Sequence, residues 1–207
     1  MKTERTTKGE QTKQRILETA ASMFWKSSYH KVRVDKIVEQ AEVNKASFYQ
    51  YFKNKEHAAL ESINHMYKKT KDIVFESSFA SDHNPVKRLE NIFNNIYHLH
   101  TEQIELEGRC PGCPFVNMGN EMATDSELIR QKVETIFADF CSYHQRIYQD
   151  AKSQGLTDIV VEPEFIARQL QGILHGGMVS AKVTNRPEDI LDALTTAKAI
   201  LGIEKLG

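Results

Sequence analysis

From Ile16 to Leu201 the apolar residues of this 207-residue chain return every three or four positions, the period of a helix buried along one side. Almost nowhere do they alternate as they would in a half-buried strand. The one strand-like stretch, Asp158-Ile159-Val160-Val161, is too short to build a sheet. This periodicity restricts the chain to an all-α fold. Its length allows a buried core without a disulfide or metal staple, and residues that break helices are sparse, ten Gly and five Pro.

The breaks divide the chain into about nine helices. The first carries Ile16, Leu17, Ala20, Ala21 and Phe24 on one face, with Thr12 as its expected N-cap and Ser27-Ser28-Tyr29 at its end. A short second helix presents Val34, Ile37, Val38 and Ala41. After the tight connection Ala41-Glu42-Val43, Asn44 caps a short third helix, whose Phe48 and Phe52 lie four apart and face the core together. Val43 and Phe48 have the spacing of a hydrophobic staple. The opposite side of that helix carries Ala46, Ser47 and Gln50, flanked by Lys45, Tyr49 and Tyr51. Longer helices are expected over 55–79 (Ala59, Ile63, Met66, Tyr67, Ile73, Val74), from Pro85 to Gly108, and from Asp125 or Ser126 to Gly155 (Leu128, Val133, Ile136, Phe140). A brief helix over 115–123 precedes the last of these. Pro163 and Pro187 open the final two.

Charge is unevenly placed. Residues 1–55 hold twelve Lys and Arg against six Asp and Glu, net +6, whereas the rest of the chain is net −7. A basic head on an acidic body suits a nucleic-acid-binding segment joined to one that binds something else. The run Tyr29-His30-Lys31-Val32-Arg33-Val34-Asp35-Lys36-Ile37-Val38, continued by Val43-Asn44-Lys45-Ala46-Ser47-Phe48-Tyr49-Gln50-Tyr51-Phe52-Lys53-Asn54-Lys55-Glu56, resembles the DNA-binding signature of the TetR (tetracycline repressor) family, and the likeness extends over positions 12 to 56. Two positions depart from it. Glu42 stands where the family usually has Gly, at a backbone position expected to need φ > 0. Arg33 stands where Ser or Thr usually opens the second helix.

The resemblance implies a helix-turn-helix domain with a basic arm over 1–54 and a ligand-sensing, dimerising helical domain over 55–207. Such a protein is a DNA-binding transcriptional regulator, in the family's usual mode a repressor released from a palindromic double-stranded DNA operator by a small-molecule effector. Lys45, Ser47 and Gln50, with Ala46 beside them, are the candidates for base edges. Arg33, Asn44, Tyr49, Tyr51 and Lys55 are the candidates for phosphate contact, and Lys2, Arg5 and Lys8 could add contacts from the arm. The last two helices are expected to form a homodimer, through Phe165, Ile166, Leu170, Ile173, Leu174, Gly172, Gly176, Gly177 and Ala181 on one and Ile190, Leu191, Leu194, Ala197 and Leu201 on the other. Phe93, Tyr97, His100, Phe115, Met118, Phe137, Phe140, Tyr143, His175 and Met178 lie on helices expected to enclose the effector.

Cys110 and Cys113 bracket Pro111-Gly112. One reading is a redox or electrophile switch, with Arg109 and a helix start after Cys113 favouring thiolate. A thiol-disulfide oxidoreductase would want a βαβ context that the chain lacks. A zinc site would need more than these two thiols, and His98 and His100, two apart on a helix, point in different directions. Incidental cysteines in a Pro-rich connection are the remaining reading. No catalytic residue, metal or cofactor is expected. Three cysteines, no signal peptide and no apolar span suit a cytoplasmic protein without a membrane partner.

Overall fold

The computed structural model describes residues 7–203. Among them are nine helices and no strand, as the periodicity required. They are α1 (Lys8–Lys26), α2 (Val34–Gln40), α3 (Lys45–Tyr51), α4 (Lys55–Thr70, running on through a π-helical stretch, Lys71–Glu76, into Ser77–Ser81), α5 (Pro85–Glu107), α6 (Pro114–Met122), α7 (Glu127–Ser153), α8 (Pro163–Thr184) and α9 (Asp189–Ile200). No helix of the described residues is long and apolar enough to cross a membrane. The extended stretch before α8 has its backbone served by a side chain instead of a sheet: the Tyr148 hydroxyl lies 2.9 Å from the carbonyl of Ile159 and accepts from the N–H of Val161 at 3.2 Å.

Two compact units form. One joins the described residues up to Lys68 with Asn117–Val133; the other joins Lys69–Val116 with the described residues from Glu134 onward.

In the first unit, α1 starts a turn earlier than expected. Its N-cap is Thr7, not Thr12. The Thr7 hydroxyl accepts from the Glu10 N–H at 3.2 Å, and the Glu10 carboxylate accepts from the Thr7 N–H at 2.6 Å, a complete capping box. Thr12 bonds back to the Lys8 carbonyl from within the helix. Ile16, Ala20, Ala21 and Phe24 make the buried face. Between α2 and α3 the backbone turns through Glu42 at φ 52°, the left-handed conformation expected there. Phe48 and Phe52 are wholly buried, their ring centroids 5.4 Å apart.

In the second unit, the π-helical stretch changes the phase of α4. A π turn holds one more residue than an α turn, so the apolar stripe shifts: Val74 and Phe75 are buried while Ile73, expected on the stripe, is 49 % exposed. In α5, Asn84 caps through its Oδ1, which accepts from the N–H groups of Val86 and Lys87, Pro85 fills the first turn, and Gly108 ends the helix at φ 73°. Helices α8 and α9 pack on each other. Gly177 sets their approach, because a Cβ there would meet the Ala193 Cβ at 2.7 Å and the Asp189 carbonyl at 3.1 Å.

Phe52→Ala is expected to lower the unfolding free energy by about 3–5 kcal/mol, as a large buried ring removed without room to collapse. Urea denaturation followed by circular dichroism measures it; a loss under about 1 kcal/mol would mean that the ring is not the anchor of α3.

Candidate nucleic-acid interface

Asn44 precedes α3 in extended conformation, and its Oδ1 accepts from the Ser47 N–H at 2.8 Å and from the Ser47 hydroxyl at 3.1 Å. The cap therefore occupies the side-chain oxygen of Asn44 and turns Ser47 half inward. With Phe48 and Phe52 buried, positions 45, 46, 49 and 50 fall on the other side of the helix, and Lys45, Ala46, Tyr49 and Gln50 are all exposed. Lys45 is tied down at one end: its Nζ lies 2.5 Å from Asp35 Oδ1, and Arg33 reaches the other carboxylate oxygen at 3.6 Å. That hydrogen bond raises the pKa of Lys45 and lowers that of Asp35. Arg33 precedes α2 without a side-chain cap, and its guanidinium, largely exposed, reaches Asp35. Lys55 is half-buried with Nζ 4.1 Å from the centroid of the Tyr29 ring, and burial holds its pKa below the ordinary lysine value. The Tyr51 hydroxyl lies against the start of α1, 3.3 Å from where a Cβ on Gly9 would stand. Lys8 is the first residue of α1, whereas Lys2 and Arg5 lie outside the described residues.

The turn that follows α1 is held by a carboxylate from far along the chain. Glu121, on α6, accepts from the Ser28 hydroxyl at 2.7 Å, the Tyr29 N–H at 2.7 Å and the His30 N–H at 3.0 Å. Partial burial acts to raise its pKa, but the hydrogen bonds from His30, Ser28 and Tyr29 outweigh that, and the carboxyl sits below its ordinary value. A second tie runs between the Ser126 hydroxyl and Glu56 at 2.5 Å, while Ser126 also caps α7 through the Ile129 N–H. Neither tie was anticipated in the sequence, since each joins residues seventy or more positions apart without a local pattern.

Residues 16–61 match the family model described as bacterial regulatory proteins of the tetR family, and residues 85–197 match that of the tetracyclin repressor-like C-terminal domain. The chain belongs to the TetR family. It is a DNA-binding transcriptional regulator, as these proteins are. Its relatives include an uncharacterized HTH-type transcriptional regulator of Lactococcus lactis subsp. lactis, 25 % identical over 95 % of each chain, and the HTH-type transcriptional repressor DhaR of a Mycobacterium strain, 24 % identical over 88 % of each. Among solved structures, the reduced form of E. coli NemR superposes with a TM-score of 0.78 at 21 % identity, covering 91 % of this chain and 96 % of that one, which shows a common fold.

The TetR resemblance had placed ten residues around an effector, and the structure divides them. Phe93, Phe115, Phe140 and Tyr143 are buried, and rings fill the space beside them: Phe75 stacks on Phe140 at 4.4 Å, Phe115 meets Phe140 at 5.6 Å, and Tyr143 lies 5.0 Å from Phe75. The Tyr143 hydroxyl is committed to Glu76. His100 is buried with Nδ1 2.8 Å from the Ile96 carbonyl, and burial lowers its pKa. Met178 is buried and Tyr97 half-buried in the second unit, whereas Met118 belongs to the core of the first. Phe137 and His175, with ring centroids 4.6 Å apart, line an open cavity of about 490 Å³ between α7 and α8 together with residues the sequence had not singled out, Cys141 and Gln171 among them.

Both cysteines of the Cys-x-x-Cys run are buried free thiols. The expectation of a favoured thiolate is reversed. Burial pushes the Cys113 thiol up to about 11, and the Val116 and Phe115 N–H groups at the start of α6 only reduce that rise. Burial likewise raises Cys110, whose backbone N–H is clamped to the side chain of Asn185. Desolvation outweighs the helix terminus because the thiols sit inside the packing, not at its surface. His98 is exposed and His100 buried, so the two do point apart.

Glu121→Ala is expected to destabilise the first unit by about 2 kcal/mol at neutral pH, by leaving three donors without their charged acceptor. An ordinary glutamate titrates near 4.5 and the folded Glu121 below that. Its stabilisation is thus fully present above that pH and lost as pH falls through the folded value. Thermal melts of the two proteins should differ at pH 7 and converge in acid; a constant gap would refute the carboxylate's role.

Proposed function

We propose that this chain is a homodimeric repressor of transcription that binds a two-fold symmetric DNA operator through α3 and leaves it when a small-molecule effector binds the second unit. The observation that carries this reading is α3 itself: two buried rings and an Asn cap fix its orientation, and its other side is polar and open. Lys45, Ser47 and Gln50, beside Ala46, are the base readers. Arg33, Tyr49, Tyr51, Lys55 and the free amide of Asn44 are the phosphate contacts. Lys45 and Lys55 exchange Asp35 and the Tyr29 ring for DNA on binding.

The dimer reading rests on α8. Ile166, Leu170, Leu174, Gly177 and Ala181, with Ile190, Ala197 and Leu201, are buried within one copy of the chain. Along one exposed face of α8 run Phe165, Gln169, Gly172, Gly176, Val179 and Val183, spaced by four and three in turn. Phe165, Val179 and Val183 are 48 %, 44 % and 81 % exposed, and, the helix's own backbone and chain neighbours apart, no atom of the described residues lies within 4 Å of a Cβ placed on Gly172 or Gly176. The stripe is symmetric about position 174. Two antiparallel copies would set Phe165 against Val183, Gln169 against Val179 and Gly172 against Gly176, with the glycines letting the axes come close. Such a dimer would present two α3 helices to successive major grooves, about 34–36 Å apart. An effector preferring another spacing would weaken DNA binding by its difference in affinity, about 1–3 kcal/mol. DhaR, a relative, is named a repressor, which favours this polarity. Thiol-triggered release, a thiol-disulfide enzyme and a metal sensor built on Cys110 and Cys113 find no support in two buried, protonated thiols.

Gly176→Leu should leave the fold of one copy intact, since nothing in that copy occupies the space. It should yield monomers in sedimentation and cost operator affinity about tenfold or more. A variant that stays dimeric would overturn the seam. Binding of the unsubstituted protein to DNA upstream of its own gene should weaken steeply with salt. Lys55→Ala should lower affinity on every sequence and Gln50→Ala should alter sequence preference; if neither changes DNA binding, α3 is not the reading helix.

A further inference from the structure

The cavity between α7 and α8 has an unusual floor. Phe137 and Cys141 of α7 and Ala167, Gln171, Gly172 and His175 of α8 form its walls. Gln171 is 5 % exposed, and its Nε2 lies 2.6 Å from His175 Nε2. Its Oε1 has no hydrogen-bond partner among the described residues, and the same holds for both ring nitrogens of His144, which is wholly buried beside it. The Gln171 carboxamide does act on His144 to favour its charged form, but without the geometry of a bond. Each unpaired buried polar atom costs about 1–3 kcal/mol; one of these three, Gln171 Oε1, belongs to the wall of a space large enough for a small molecule, and the other two lie behind it on His144.

The count does not close from within. A neutral imidazole offers one donor and one acceptor, and a carboxamide two of each. Half a turn of the Gln171 carboxamide exchanges its ends, yet in either setting one chain from His144 through Gln171 to His175 satisfies only one nitrogen of each ring. Burial pushes both imidazoles down to about 4, so the floor carries no charge at neutral pH. At the rim, Glu164 and Arg168 bring one charge of each sign. Ser142 and Gln145 add neutral polar groups, and Phe137, Ala138 and Ala167 are the apolar part of the wall.

We propose that this cavity is an effector site for a small neutral molecule, an apolar body carrying a carboxamide or another group that donates and accepts side by side. The polar end pairs with Gln171 and His175, and the apolar body lies along Phe137 and Ala167. The inference rests on the repressor reading for its consequence and on the cavity alone for binding. Gly172 gives the site its reach. It forms part of the wall and also lies on the outer stripe of α8, so an occupant that orders Gln171 and His175 acts on the same helix that the dimer is proposed to use.

Benzamide and benzoate, alike in shape and different in charge, test the proposal. The readout is protection of Cys141 from iodoacetamide, followed by mass spectrometry, because Cys141 lines the cavity while Cys110 and Cys113 are buried. Benzamide should protect Cys141 at concentrations about tenfold below benzoate. Gln171→Leu should abolish the protection. Ala138→Trp, at an exposed position on the same wall, should block it without disturbing the core. Equal protection by benzoate, no protection by benzamide, or protection that survives both substitutions overturns the proposal. Operator binding by each protein without probe is measured in parallel. Its failure in the unsubstituted protein sinks the repressor reading while the cavity result stands by itself.

Discussion

The burial of Phe48 and Phe52 is the contact on which the nucleic-acid interface depends. A seven-residue helix has no stability of its own in water, and α2 and α3 are both that short. Two rings one turn apart hold α3 against the core, and because a helix is rigid about its axis, fixing one side fixes the other. Lys45, Ala46, Tyr49 and Gln50 are outside because the phenylalanines are inside. Asn44 and Glu42 add the direction: the cap starts the helix at one residue and the left-handed turn at φ 52° aims it. Keeping Glu where Gly would be unstrained costs about 1 kcal/mol. The Glu42 carbonyl also lies 3.4 Å from the guanidinium of Arg15, on α1.

That small core is not built by the N-terminal residues alone. Asn117–Val133 belongs to the same compact unit, and its two polar ties fall on the turn after α1 and the start of α4. The boundaries between the units fall within helices α4, α6 and α7, not in loops. Glu121 holds the turn that follows α1 from within the same unit, although the first residues of its helix, Pro114–Val116, belong to the other.

What could be read in the sequence was whatever depends on neighbours in the chain. The helices, the Asn44 cap and the paired phenylalanines each follow from residues within about eight positions of one another, whereas the left-handed turn at Glu42 came from the TetR resemblance. The Thr7 cap was equally local, a Thr three residues before Glu10, but the apolar periodicity begins later and drew the boundary to Thr12. The π-helical stretch was beyond such reading: it carries Phe75, which stacks on Phe140 and packs tilted against Tyr143, some sixty-five positions away. So too with Leu128, which the periodicity placed inside and which is 58 % exposed while Ile129 beside it is wholly buried. Aromatic composition could not separate a cavity from a packed core, since that difference is one of volume left over: Phe140 and Tyr143 pack against other rings, while Phe137 and His175 line a cavity. The thiols of Cys110 and Cys113 show the same limit: a helix start is visible in sequence, the depth at which it is buried is not.

Helix α8 carries three demands on adjacent faces, and its glycines separate them. Gly177 faces α9, where a single added carbon would collide with Ala193. Gly176, one position and about 100° around the helix, faces open space, and Gly172 joins it there one turn away. Gln171 and His175 lie between these directions, on the side toward α7. In a plain core helix each of these glycines would cost about 1 kcal/mol relative to Ala, and only Gly177 is required by contacts within one copy. The other two weaken the helix for no reason internal to it. Helix α8 thus gives up stability on one outward face, keeps Phe165 and Val183 on that face in contact with water, and leaves Gln171 Oε1 unpaired on the next, and these are the features on which the proposed dimer and effector site rest.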